Sequence, residues 1–322
     1  MSNKPHTPTT LLEAARHFAD PDVCHEYMLW VRWPDGKITC PECKCDRIGH
    51  ISSRRMLQCK SKDCRKQFST KVGTIFEDSA IGIDKWLVAV WCIANAKNGI
   101  SSHELGRAIG VSQKSAWHML HRVRAAMKAK TFKTIQGTVE SDETFVGGKA
   151  KNMHANIRRE RINGRGTVGK IVVHGILERA MNPNGTSRVT VSVVPNQKAK
   201  TLQPRIRDRV ETGSRVFTDA LASYDGLSDN YAHDTVEHAA GQYVKKGDVH
   251  TNSMENFWTL LKRALKGTYV SVTPKHLERY CDEEVFRFNQ RFRTDRGRFE
   301  LAMSCVAGVR LTWKELVNNG SH

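Results

Sequence analysis

The spacing of apolar residues changes character several times along the chain, and each change predicts a different kind of element. Residues 11–33, LLEAARHFADPDVCHEYMLWVRW, place apolar positions at helical intervals and predict a short helical lead-in. From 36 to 72 the apolar residues thin out and cysteines gather, a pattern that reads as hairpin-like. Residues 83–130 return to a helical period. Their run WLVAVWCIA is the longest apolar stretch, far short of the roughly 20 residues that span a bilayer, and predicts a buried helix. After the break TIQGT near 137 the pattern turns β-rich, with KIVVHGILER and TSRVTVSVVPN as strand candidates flanking the turn AMNPNG. From about 274 it is helical again, and no internal repeat interrupts the series.

A chain of 322 residues is too long for one ordinary core. The pattern predicts a multidomain α+β protein with a lead-in (1–35), a cysteine-rich module (36–72), a helical region (73–130), a mixed α/β region (131–300) and a tail (301–322). The net charge of +18 and a pI near 9.7 point to a polyanionic partner, because clustered Lys and Arg gain affinity by releasing phosphate counterions. The opening MSNKPHTPTT lacks the apolar core of a secretory signal, so a cytoplasmic, nucleoid-associated protein with no membrane partner is expected. In that reducing compartment grouped cysteines hold metal more often than they form disulfides.

Cys40, Cys43, Cys59 and Cys64 form the first constellation: CPEC, 15 intervening residues, then CKSKDC. Two close pairs on tight turns can set four thiolates around Zn²⁺ and staple a segment too small to bury a core, which is a zinc ribbon with structural Zn²⁺. Cys45 could replace one partner. Cys24, Cys92, Cys281 and Cys305 are scattered and read as buried apolar fillers.

The stretch GISSHELGRAIGVSQKSAWHMLHRVRAAM follows the logic of a helix-turn-helix. Ser101 with Glu104 makes a capping box, Leu105, Ala108 and Ile109 an apolar face, and Gly110 stands where the tight turn belongs. A second helix from about Ser112 would present Gln113, Lys114 and Ser115 at the end that reaches base edges, with Trp117, Leu120 and Val123 packing it down.

The β-rich region carries the catalytic case. Asp142 lies on the strand pattern of GTVESDETFVGGK, and Asp219 ends the apolar strand of SRVFTDALASY. HTNSMENFWTLLKRALKGTY reads as an amphipathic helix with Met254, Trp258, Leu261 and Leu265 on one stripe and Glu255, Thr259, Lys262 and Lys266 on the next. Asp219 and Glu255 are separated by 35 residues, and Lys262 follows Glu255 by two turns. Two-metal phosphodiester cleavage needs hard oxygen ligands that hold two Mg²⁺ about 4 Å apart, and two strand aspartates with one helix glutamate can meet at a single edge. Lys262 would serve a phosphate. Alternation sends Glu143, next to Asp142, to the opposite sheet face and out of the ligand set. His250 precedes the helix, where capping or packing is expected over orienting DNA. The run RRERINGRGTVGK reads as a phosphate-contacting loop. In RFNQRFRTDRGR the arginines are expected on phosphate, while Phe288, Phe292 and the following Phe299 are expected in the core.

The stretches CPEC, CRKQFSTKVGTIFEDS, GISSHELGRAIGVSQKSAWHML, VESDETFVGGK, VFTDALASYDGL and HTNSMENFWTLLKRALKGTYVSVTPKHLERYCDEEVFRFNQR occur in order over most of residues 36–292. In these the chain resembles bacterial insertion-sequence transposases of the DDE class, the ISXO-two-like group with an N-terminal zinc ribbon. The resemblance implies that region 131–300 is a ribonuclease H-like catalytic domain with a mixed sheet. It further implies cutting and joining of double-stranded DNA, at transposon ends and in the target, with Mg²⁺ or Mn²⁺. The group's acidic triad carries over to Asp142, Asp219 and Glu255, and its downstream lysine to Lys262. Some members of the group carry Asn at the third position, so Asn252, one turn before Glu255, is the alternative ligand. The carboxylate is preferred because it binds Mg²⁺ more strongly. Synapsis of two ends implies a homo-dimer or larger assembly.

Overall fold

A computed structural model describes residues 4–128, 134–147, 169–180, 185–236 and 249–318. The lead-in folds as α1 (Leu11–His17) and α2 (Pro21–Arg32). Thr10 caps α1 by accepting from the Glu13 N–H at 3.2 Å, and Asp20, with Pro21 at the first helical position, caps α2 through the Asp22 N–H at 2.8 Å. Three short antiparallel strands follow, β1 (Ile48–Ile51), β2 (Met56–Cys59) and β3 (Gln67–Phe68). Their small core of Leu57, Phe68, Cys40 and Cys59 also takes Leu29 and Trp33 from the α2 end.

The helical region supplies α3 (Ile83–Asn95), α4 (Ser102–Ile109) and α5 (Gln113–Lys128). Ser101 accepts from the Glu104 N–H at 3.1 Å, and Gly110 ends α4 at φ +63°, a left-handed turn that side chains disfavour. Ser112 then opens α5 by accepting from the Ser115 N–H at 3.1 Å.

Beyond residue 134 come β4 (Thr138–Val146), β5 (Ile171–Glu178), β6 (Arg188–Val194), α6 (Ala199–Arg209), β7 (Arg215–Asp219), β8 (Ala232–Val236), α7 (Asn252–Arg263), α8 (Leu277–Asn289), α9 (Asp295–Met303) and α10 (Trp313–Asn318). The strands form one mixed sheet in the order β6-β5-β4-β7-β8, antiparallel from β6 to β4 and parallel from β4 to β8. Alternation gives each strand two faces. One face packs Val139, Ile176 and Val216 against Leu202 and Ile206 of α6. The other packs Val173 and Leu177 against Met254, Phe257, Trp258 and Leu261 of α7 and Cys281, Val285 and Phe288 of α8. Four of the chain's apolar face positions on α7 thus match a helix laid flat on a sheet.

The chain divides into two units, Met1–Lys130 with Arg293–His322, and Thr131–Phe292. The boundary expected at residue 300 therefore moves to 292. Phe299 on α9 explains the shift: its ring lies 5.8 Å from Phe18, 5.9 Å from Tyr27 and 5.1 Å from Trp91, all in the first unit. Phe288 and Phe299 are buried as expected, whereas Phe292 is 72% exposed. The arginines around it are also used internally. Arg287 is buried and paired with Glu283 and Glu284, Arg291 donates to the Ser187 and Phe288 carbonyls, and Arg298 donates to Asn95. Of the arginines expected on phosphate in this run, these three thus make internal contacts. Most of the run RRERINGRGTVGK, and the centre of the turn AMNPNG, lie outside the described residues.

Candidate active site and metal centres

In the small sheet the four expected cysteines converge. Cys40 and Cys64 place their Sγ atoms 3.7 Å apart, Cys43 and Cys59 3.5 Å apart, and all four lie within 4.8 Å of one another. A zinc–sulfur distance of about 2.3 Å in a tetrahedron puts neighbouring sulfurs about 3.8 Å apart, so the donor set fits Zn²⁺. Two turns build it: Lys44 just after Cys43 and Arg65 just after Cys64 both take positive φ, 61° and 51°. Cys45 does not join; its Sγ accepts from the Arg47 N–H at 3.4 Å. Of the scattered cysteines, Cys24, Cys281 and Cys305 are buried and Cys92 is partly so.

The acidic site forms where β4 and β7 part. β7 runs beside β4 only from Thr138 to Glu140, so the edge of β4 beyond Glu140 is clear of β7. Asp142 lies just past that point, and Asp219 is the last residue of β7. Asp142, Glu143 and Asp219 bring carboxylate oxygens within 4.8 Å of one another. Glu143 was expected on the other face. Its hydrogen bonds to Tyr224 and Gln197 keep it on that face, where Tyr224 packs with Val139 and Val216, yet a carboxylate oxygen still comes within 4.8 Å of Asp142 and Asp219.

The surroundings hold each group. The Trp258 indole Nε1–H donates to Asp142 Oδ2 at 2.9 Å. Burial pushes the Asp142 carboxyl up to about 6; the Trp258 hydrogen bond opposes the rise, and the charges of Asp219 and Glu255 add to it. Burial likewise pushes Glu143 up to about 7, against hydrogen bonds from Tyr224 and Gln197. Asp219 Oδ1 accepts from the Leu221 N–H at 3.2 Å. Three carboxylates this close, two of them held back from ionising by burial, are a donor set that a divalent cation relieves, so the residues fit Mg²⁺ or Mn²⁺.

Glu255 stands outside the 4.8 Å group, exposed on the first turn of α7, close enough for its charge to act on Asp142. Asn252 is exposed one turn earlier, its N–H donating to His250 Nδ1 at 3.3 Å. Lys262 is half-buried two turns on, and burial lowers its pKa, with Lys266 lowering it further and Asp142 opposing. α7 comes this close because Asp142 is paired across the sheet with Gly175. A Cβ there would meet Met254 Cε at 2.2 Å and the Trp258 ring at 2.7 Å.

Both centres fall within stretches that match known domains. Residues 20–67 match the transposase zinc-ribbon domain, and residues 134–289 match the ISXO2-like transposase domain. An uncharacterized protein in transposable element ISH50 of Halobacterium salinarum is 31% identical over 248 residues, covering 73% of this chain and 80% of that protein. The chain belongs to the ISXO2-like transposase family. An uncharacterized transposase-like protein of Haemophilus influenzae is 34% identical over 103 residues, 32% of this chain and 81% of that one. Among the described residues no helix is long and apolar enough to cross a membrane.

In this family member the expected base-reading residues are already engaged within the first unit. Gln113 Nε2 donates to Ser102 Oγ at 2.8 Å, Lys114 Nζ lies 4.7 Å over the Trp313 ring, and Ser115 takes the Ser112 cap. Gln113 and Lys114 remain exposed. The sequence reading missed Glu143, Tyr224 and the Trp258 hydrogen bond. Trp258 was visible only as an apolar stripe position, and the one signal of its second role was an indole N–H that a buried site must satisfy.

Proposed function

We propose that the chain is the transposase of an insertion sequence, binding the terminal inverted repeats of double-stranded DNA and catalysing metal-dependent cleavage and strand transfer. The observation that carries this is the meeting of Asp142, Glu143 and Asp219 at one strand edge in a chain of this family. A five-stranded mixed sheet with helices on both faces supports a ribonuclease H-like domain. The capped α4, the left-handed Gly110 and the capped α5 support a helix-turn-helix, which with the zinc ribbon would grip the ends.

Asp142 and Asp219 would hold Mg²⁺ or Mn²⁺, with Glu255 or Asn252 completing the set. Bound there, the cation supplies Lewis acidity that acidifies the attacking hydroxyl and neutralises charge at the phosphate. Trp258 fixes the Asp142 carboxylate so that one oxygen is aimed and the other spoken for. Lys262, two turns beyond Glu255, would meet the phosphate through its ammonium. Water is the first nucleophile, leaving a 3′-hydroxyl; that hydroxyl then attacks a target phosphodiester and displaces a second 3′-oxygen. Bringing two ends together requires a dimer or larger assembly.

The test is cleavage and joining of labelled DNA from the ends of the element in Mg²⁺ or Mn²⁺, with Asp219→Asn, Glu255→Gln, Asn252→Ala and Glu143→Gln beside the parent. Joined products that vanish with Asp219→Asn and Glu255→Gln support the assignment. Loss with Asn252→Ala alone moves the third ligand by one turn. Cutting without joining makes the chain a nuclease or junction resolvase, and binding without cutting in either metal makes it a DNA-binding regulator.

A further inference from the structure

We propose that Glu140, held by Arg179, is a positioning residue that latches the first turn of α7 over the acidic site and so sets where the third metal donor stands. This rests on the functional reading above and deepens it.

Glu140 is fully buried two residues before Asp142, on the same face of β4. A buried carboxylate persists only when its oxygens are satisfied. Oε1 accepts from Arg179 Nε at 2.6 Å, and Oε2 accepts from the Met254 N–H at 2.8 Å. Met254 is the third residue of α7, at the helix start where N–H groups lack a full set of partners, and its N–H is shared between the Thr251 carbonyl at 3.0 Å and Glu140. Thr251 precedes the helix but gives it no side-chain cap among the described residues. Glu140 therefore caps α7 from another element, with its charge at the positive end of the helix.

Arg179 extends the grip. Its Nη2 donates to the His250 carbonyl at 2.5 Å and to His250 Nδ1 at 2.7 Å, and its guanidinium lies 4.7 Å over the Phe217 ring. The turn into α7, the end of β5 and the middle of β4 are thus joined through one side chain. One turn further along, Trp258 donates to Asp142. Two alternate carboxylates of β4 thereby hold two successive turns of the helix that carries Asn252 and Glu255. Apolar packing by Met254, Phe257, Trp258 and Leu261 already keeps α7 on the sheet. An apolar residue in place of Glu140 would serve that end as well; what the ion pair adds is a defined register.

The test uses the full chain with Glu140→Gln and Arg179→Lys. Mn²⁺ uptake is followed by the electron paramagnetic resonance signal of free Mn²⁺, alongside the Mg²⁺ dependence of cleavage, circular dichroism and amide exchange over residues 252–256. Partners that orient metal ligands typically change affinity 10–100-fold. Glu140→Gln is expected to raise half-saturating Mn²⁺ and Mg²⁺ by about 10-fold, with cleavage restored to near the parent rate at saturating metal and faster exchange at Met254. Arg179→Lys, which keeps the charge but not the fork, is expected to move the same way by less, and it is read alone should Glu140→Gln not fold. A lower melting temperature with unchanged half-saturation makes the pair merely structural and overturns the proposal. Activity lost at every metal concentration overturns it too, since Glu140 would then act at the metal itself. If the parent takes up no Mn²⁺ that depends on Asp142 and Asp219, the functional reading has failed, and the latch falls with it.

Discussion

Replacing Gly175 with Ala separates two opposite expectations. Gly175 has no left-handed φ, so on chain entropy alone Ala should stabilise the strand by about 0.4–1 kcal/mol. Its added Cβ, however, would lie 2.2 Å from Met254 Cε and 2.7 and 2.8 Å from two Trp258 ring carbons. The Met methyl can swing aside, but the indole is held by its hydrogen bond to Asp142. Overpacking of this kind costs about 1–3 kcal/mol. At about 2 kcal/mol, a unit of this size should melt roughly 4–8 °C lower. A displaced indole also frees the Asp142 carboxylate to turn, so cleavage should fall by about 10-fold or more, as for other partners of metal ligands. Thermal melts and end-cleavage rates on Gly175→Ala, Trp258→Phe and the double variant close the cycle. Phe lacks the two clashing ring carbons, so the double variant should be no worse than Trp258→Phe alone. A Gly175→Ala chain that melts at or above the parent, or costs that simply add, would refute the close-approach argument.

The zinc assignment predicts one Zn²⁺ per chain by elemental analysis, lost in Cys43→Ser together with protease resistance between residues 40 and 68. The raised carboxyls of Asp142 and Glu143 set a pH dependence. An acid whose folded pKa is raised favours the fold fully below its unfolded pKa and loses that contribution as pH rises, here between about 4 and 7. The metal-free chain should therefore melt higher with Glu143→Gln at pH 8, and Mn²⁺ should raise the melting temperature more at pH 8 than at pH 5.5. His174 works in the opposite sense. Burial lowers its pKa to about 3, so it removes stability as pH falls below its unfolded value near 6.5; His174→Gln should flatten the acid side of the melting profile. Lys114→Ala should weaken binding to end DNA and reduce the salt slope by about 1 if the lysine reaches a phosphate; an unchanged slope would confine it to Trp313.

What could be read in the sequence was whatever depends on local spacing. Ser101 with Glu104 and the Gly110 stop mark α4, two cysteine pairs mark the zinc centre, and the strand pattern of GTVESDETFVGGK carries Asp142. What could not be read depends on where another element ends or returns. Alternation assigns Glu143 a face, but only the parting of β7 from β4 beyond Glu140 leaves the space at which its carboxylate and those of Asp142 and Asp219 come within 4.8 Å. The helical period of α9 shows a helix, not that Phe299 enters an aromatic cluster built by Phe18, Tyr27 and Trp91. Basic composition around residue 290 suggested phosphate contacts, yet Arg287 faces Glu283 and Glu284 of its own helix, a pairing visible at spacings of four and three.

The third donor shows why the register of α7 matters more than the identity of any one residue on it. Asn252 and Glu255 are three residues apart, which on a helix means about 4.5 Å along the axis and about 60° around it. A slip of one turn or a small roll of α7 would exchange one for the other beside Asp142. Packing opposes such motion in part, because Met254 and Trp258 sit against the bare backbone of Gly175. Directional contacts oppose it further. The Met254 N–H to Glu140 and the Trp258 N–H to Asp142 cannot both be kept after a slip, so the two hydrogen bonds fix the register of the turns that carry Asn252 and Glu255.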